Sequence, residues 1–160
     1  MTPRFARLTM MLSAAAFAAI SVAHAQTADP FVGTWRLNVE KSKYTPGPAP
    51  KSVTTIIEAA GQGLKVSVTN ESVTGKTQYS YTSNLDGKDS PVTGNNPNAD
   101  VIAVRRIDPR TLESVSKKGG KVTITQRNAL AADGKSRTVT TTGTDAQGQK
   151  VNNVGVFEKQ

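Results

Sequence analysis

From residue 33 to the C-terminus, runs rich in Val, Ile, Thr and Tyr alternate with breaks rich in Gly, Asp, Asn and Pro, at about ten-residue spacing. "GTWRLNV" opens the series at Gly33, and "SVTTIIEAA", "LKVSVTNES", "KTQYSYTSN", "DSPVTG", "DVIAVRRI", "TLESVS", "KVTITQRNAL", "SRTVTTTG" and "KVNNVGVFEK" follow. No stretch beyond residue 25 sustains a 3.6-residue apolar period, so helices are not expected. The pattern predicts an all-β chain of about ten strands. Nearly every break is short enough for an antiparallel hairpin, and the one longer segment, 40–51, lies between the first two runs. A ten-strand meander with short loops most simply closes into an up-and-down barrel, which removes both sheet edges. A β-sandwich is the alternative.

Alternation within the runs bears on the interior. Trp35, Leu37 and Val39 share one face of the first run, and Leu64, Val66 and Val68 share one face of the third. "SRTVTTTG" differs: Thr138, Thr140 and Thr142 face one way, Arg137, Val139 and Thr141 the other, and neither face is properly apolar. Only about a fifth of the residues after Ala25 are Leu, Ile, Val or Phe, the margin at which composition stops supporting a packed core. The chain is therefore either a thin-cored domain or a barrel whose partly polar interior encloses a solvent-filled cavity.

Residues 1–25 read as an export signal: Arg4 and Arg7, an uncharged apolar run, then "AHA" at 23–25. Cleavage is expected after Ala25, leaving 26–160 as one domain in the periplasm or outside the cell, with no later segment able to span a membrane as a helix. The only histidine, His24, and all three methionines fall before that point, and the chain has no cysteine. The usual zinc, copper and haem ligand sets, the Ser-His-Asp arrangement and any imidazole general base are thereby excluded. The acids are scattered, several in turns such as Asp86-Gly87 and Asp133-Gly134, so a carboxylate pair for glycoside chemistry is not apparent. A non-catalytic protein without metal or cofactor is expected.

Gly33-Thr34-Trp35 at the head of the first run resembles the Gly-x-Trp signature of the calycin superfamily, the lipocalins and fatty-acid-binding proteins. The ending "VFEKQ" is similar to the last strand of intracellular fatty-acid-binding proteins, which also have ten strands in meander order. "GTWRLNVEKSKYTPGPAPKS" and "DAQGQKVNNVGVFEKQ" look more closely like exported bacterial lipocalin-like proteins of unassigned function. The resemblance implies that Gly33 and Trp35 are structural, with Trp35 packed across the closed end of a barrel under a basic side chain. It departs from the fatty-acid-binding pattern in two ways. "TPGPAP" replaces a two-helix lid, because Pro46, Pro48 and Pro50 remove donors and fix extended geometry. The last-strand Arg-x-Tyr anchor falls on Gly155 and Phe157.

The candidate ligand contacts on this reading are Arg127, Tyr79, Tyr81, Asn153 and Phe157. Arg127 shares a face with Thr123 and Thr125, opposite Val122, Ile124 and Gln126. If the Thr face points inward, Arg127 is an inner cation in need of a partner; if outward, it is an ordinary solvated arginine. Arg105, Arg106, Arg110, Lys117, Lys118 and Lys121 concentrate charge on two hairpins, either as a patch for anionic lipid headgroups or as solvated strand ends. No nucleic-acid motif is present, and nucleic acid is not an expected partner. The expected function is non-covalent binding of a small apolar or amphipathic molecule inside the barrel. The alternative is an envelope or extracellular interaction or inhibitor module that works through its loops.

Overall fold

The computed structural model describes residues 28–160, so the expected export signal lies outside the described residues. Eleven strands follow one another: β1 (Gly33–Lys43), β2 (Ser52–Ala60), β3 (Gly63–Ser72), β4 (Gly75–Ser83), β5 (Asp86–Pro91), β6 (Thr93–Gly94), β7 (Val101–Asp108), β8 (Thr111–Lys118), β9 (Lys121–Leu130), β10 (Ser136–Thr144) and β11 (Lys150–Lys159). All are antiparallel members of one sheet, ordered β5-β7-β8-β9-β10-β11-β1-β2-β3-β4-β6. The sheet curls into a nearly closed barrel, with the first and last strands joined in register from Trp35↔Lys159 to Asn38↔Val156. There is one sheet and not two packed ones, so the sandwich alternative is set aside. No helix of the described residues is long and apolar enough to cross a membrane.

The extra strand arises at "DSPVTG", and Asp86-Gly87, expected as a turn, lies inside β5 instead. Asp86–Pro91 pairs with β7, and two residues on, Thr93–Gly94 pairs with β4. Pro91 has no N–H to give a ladder, and the chain changes neighbours just after it. The two free edges of the sheet are thus successive pieces of one segment, which lies across the seam. The first run is longer than its apolar pattern suggested. Its register with β11 shifts between Asn38 and Lys43, where Ser42 Oγ donates to Asn38 O, and Val39 is partly exposed as a result.

One end of the barrel is sealed by the residues that precede β1. Trp35 and Phe31 have no exposed surface. The indole Nε1 donates to Phe31 O at 2.8 Å, and Asp29 turns the chain by accepting from the Phe31 N–H at 3.0 Å. Arg106 on β7 forms an ion pair with Asp29 and lies over the Phe31 ring, tying this plug to the far wall. Lys159 lies over the Trp35 ring, its Nζ 5.2 Å from the centroid and 3.5 Å from Pro30 O. Gly33 fits under it because a Cβ there would overlap Lys159 Cε, and its φ of +140° is one that side chains rarely permit. The basic residue expected over the tryptophan is Lys159.

Candidate functional site

Above this plug the interior is not filled. A cavity of about 400 Å³ extends toward the opposite end, where the β1–β2 connection and residues of the loops 95–100 and 145–149 line it. That volume lies within the range of small-molecule pockets, roughly 300–1,000 Å³. Pro46, Pro48 and Pro50 border it on one side, and Asn96, Asn98 and Asp145 on another. The rim is tied by hydrogen bonds. Thr45 N–H donates to Asn153 Oδ1 and Asn152 N–H to Thr45 O, each at 2.8 Å. Asn98 accepts from Ala146 N–H through Oδ1 (2.8 Å) and from Thr123 Oγ1 through its carbonyl (2.6 Å).

Strand registers set which residues stand side by side around this space. On the β2–β4 side the register aligns Thr55, Val68 and Tyr79 in one row and Ile57, Val66 and Tyr81 in the next. Across the barrel, β8 to β11 align Ser114, Gln126, Thr141 and Asn153 in a single row. Gln126 Nε2 donates to Thr141 Oγ1 at 3.1 Å, and Ser114 Oγ lies 3.5 Å from Gln126 Oε1. Both sides are mixed: Val68, Tyr79 and Tyr81 stand beside Asn70 and Ser72 on the first, and Gln126, Thr141 and Asn153 beside Ile124, Val139 and Phe157 on the second.

Arg137 stands at the deep end, below Val139 and Thr141 on the same inner face of β10. It is 6% exposed, and its guanidinium carbon is 4.6 Å from the Phe157 centroid and 5.4 Å from that of Trp35. Nη1 donates to Asn128 Oδ1 at 2.6 Å, while the buried Nε has no partner. No carboxylate among the described residues forms an ion pair with it. Burial lowers its pKa from 12.5 to about 10, so it stays a cation near neutral pH. A desolvated charge held only by one amide oxygen and two ring faces is costly, and an anion beside it would offset that cost.

Burial also pushes the Tyr79 hydroxyl up to about 12 and that of Tyr81 higher still. Neither ionises near neutral pH. They act as hydrogen-bonding, stackable rings and not as bases. What this constellation can do chemically is seat a molecule by stacking, hydrogen bonding and charge.

Of the residues singled out from sequence, Tyr79, Tyr81 and Phe157 line the cavity together. Asn153 lines it too, though its Oδ1 is committed to Thr45. Arg127 does not. The inner face of β9 carries Ile124, Gln126, Asn128 and Leu130, so Arg127 points outward and is exposed, in register with Glu113. As a cavity contact Arg127 is corrected to Arg137. The parity of Ile124 and Leu130 marked the inner face of β9, and that of Val139 the inner face of β10. Both are fragile marks in strands where threonine occupies both sides.

The six clustered basic residues are also separated. Arg105 and Arg106 pair with Glu113 and Asp29 toward the plugged end, while Lys117 and Lys118 pair with Asp89 and Asp100 near the mouth. No protein-family model matches this chain, and a search of curated proteins returned no match.

Proposed function

We propose that this protein is an exported, non-catalytic barrel of lipocalin-like kind that holds a small amphipathic molecule in its interior. The observation that carries the reading is Arg137: a buried guanidinium without a carboxylate, at the foot of an open cavity of about 400 Å³. A structural arginine is ordinarily paired when desolvated, whereas one awaiting an anionic group is left unpaired until the group arrives. Tyr79, Tyr81 and Phe157 supply the apolar contact such a molecule needs. A loop-based interaction module would be expected to have a filled interior, and the open cavity weighs against that second reading.

Native mass spectrometry on protein purified from its source cells tests the proposal. A co-purified small mass, lost in the cavity-filling variant Thr141→Trp while the fold persists by circular dichroism, is the expected result. If no mass co-purifies and no environment-sensitive anionic dye is taken up by either form, the interior is not a binding site.

A further inference from the structure

The way polarity is distributed inside the cavity narrows the class of occupant. A long-chain acid is polar at one end and apolar along its length, so a cavity built for it separates the two lengthwise. Here a polar row interrupts the cavity above Arg137. Gln126, Thr141 and Asn153 form it, beyond Val139 on the inner face of β10, and Val66, Val68, Tyr79 and Tyr81 line the same cavity from β3 and β4. An alkyl tail above Arg137 would lie against that polar row and desolvate its amides and hydroxyls without replacing the lost hydrogen bonds.

Resting on the reading of the cavity as a ligand site, we propose that its occupant is a ring-bodied hydroxy-carboxylic acid. Its carboxylate meets Arg137, one face of the ring lies on the Tyr79 and Tyr81 side, and ring hydroxyls reach Gln126 and Thr141. The chemistry of these residues matches. Flat aromatic rings, and sugar rings through their C–H faces, pack on aromatic side chains, and planar carboxamides bond hydroxyls as both donor and acceptor. In the row itself Gln126 Nε2 uses one of its two N–H groups on Thr141, and Thr141 Oγ1 accepts that bond with its own hydrogen still to donate. A guanidinium receives a carboxylate in a paired geometry that Arg137 does not make with any carboxylate among the described residues.

Two sources share this chemistry, sugar acids and phenolic acids, and calorimetric titration separates them. The probes are D-glucuronate, 4-hydroxybenzoate, D-glucose and decanoate, each added to the wild type, Arg137→Gln and Thr141→Val. The expected result is that one of the ring acids binds more tightly than both glucose and decanoate. Arg137→Gln should then weaken it roughly tenfold or more, and Thr141→Val by a smaller factor that leaves decanoate unaffected. Thermal melts of both variants show that the fold is retained, and Thr141→Val keeps the test valid if Arg137→Gln melts early. Decanoate binding as tightly as either ring acid overturns the ring-acid assignment while leaving the cavity a ligand site. Failure of both ring acids also overturns it. The ligand-site reading falls separately, only if native mass spectrometry and dye uptake are negative as well.

Discussion

The Arg137 guanidinium stands 4.6 Å over the ring of Phe157, its direct register partner on the neighbouring strand. The pair sits at the floor of the cavity, with the Trp35 ring on the guanidinium's other flank at 5.4 Å. Ring faces return about 2 kcal/mol or more to a desolvated cation, less than removing it from water costs. The site therefore carries a local instability that an anion beside Arg137 would offset.

Replacing that cation by an apolar side chain should not harm the fold. Arg137→Leu is expected to leave stability unchanged or to raise it by up to about 2 kcal/mol, since the desolvation cost of the buried charge goes together with its Asn128 bond and ring contacts. Arg127→Leu, on the outer face, should stay within about 0.5 kcal/mol. Urea unfolding followed by Trp35 emission measures both. A loss above about 2 kcal/mol for Arg137→Leu would make the arginine a structural support and not a waiting anion site.

Stability should fall in strong alkali, in a window set by the two inner tyrosines. Tyr79 ionises at about 12 in the folded chain against 10.0 when unfolded, and Tyr81 is shifted the same way by burial. Between these values the unfolded chain holds fewer protons, so the stabilisation is complete below pH 10 and is lost as pH rises through the folded values. Arg137 has the opposite sign. Its folded value of about 10 lies below 12.5, the unfolded chain holds more protons, and its contribution rises over the same window. Two groups outweigh one, so urea midpoints should drop above pH 10. Tyr79→Phe/Tyr81→Phe should abolish or reverse that drop, and an unchanged slope in the double variant would contradict the assignment.

Trp35→Ala should cost about 3–5 kcal/mol, as expected for a large aromatic side chain with no exposed surface. Trp35→Phe, which chiefly forfeits the bond to Phe31 O, should cost less. In the wild type the emission should be that of a buried indole, poorly quenched by iodide. Efficient quenching would show that the 28–32 segment does not seal this end.

Gly63→Ala tests the closeness of β3 to β4. A Cβ at Gly63 would overlap the Ser83 carbonyl oxygen and backbone, so the hairpin must shift or lose pairing. The expected loss is about 1–3 kcal/mol. Gly119 has φ +54° and open space around a Cβ, so Gly119→Asn should be nearly neutral. Thermal melts of the pair discriminate crowding from general turn damage, and equal losses would count against crowding.

Much of the fold could be read from the chain. The ten runs correspond to the strands in order, because β-branched residues and turn formers alternate without a competing helical period. Gly33 and Trp35 were singled out by the resemblance of Gly33-Thr34-Trp35 to a Gly-x-Trp signature, and the structure shows Lys159 over the indole with the glycine leaving room for it. The division of "DSPVTG" between two partners was not legible, since it depends on the seam, where β5 and β6 each meet a strand distant in sequence.

For the site, alternation along one strand established only which residues share a face, such as Arg137 with Val139 and Thr141. A period of two is symmetric, and it assigns the inner face only where one side is clearly apolar. In β9 and β10 threonine occupies both sides, so closure of the barrel, not local preference, put Arg137 inside and Arg127 outside. The polar row inside the cavity belongs wholly to tertiary structure. Gln126, Thr141 and Asn153 become one row, and Val68 comes to lie beside Tyr79, only through the long-range registers that bring these strands together. Sequence alone determined the strands and the pairs of faces they offer; the register and closure of the sheet decided which face encloses the cavity, because hydrogen-bond pairing between distant strands is a property of the closed barrel and of no single run within it.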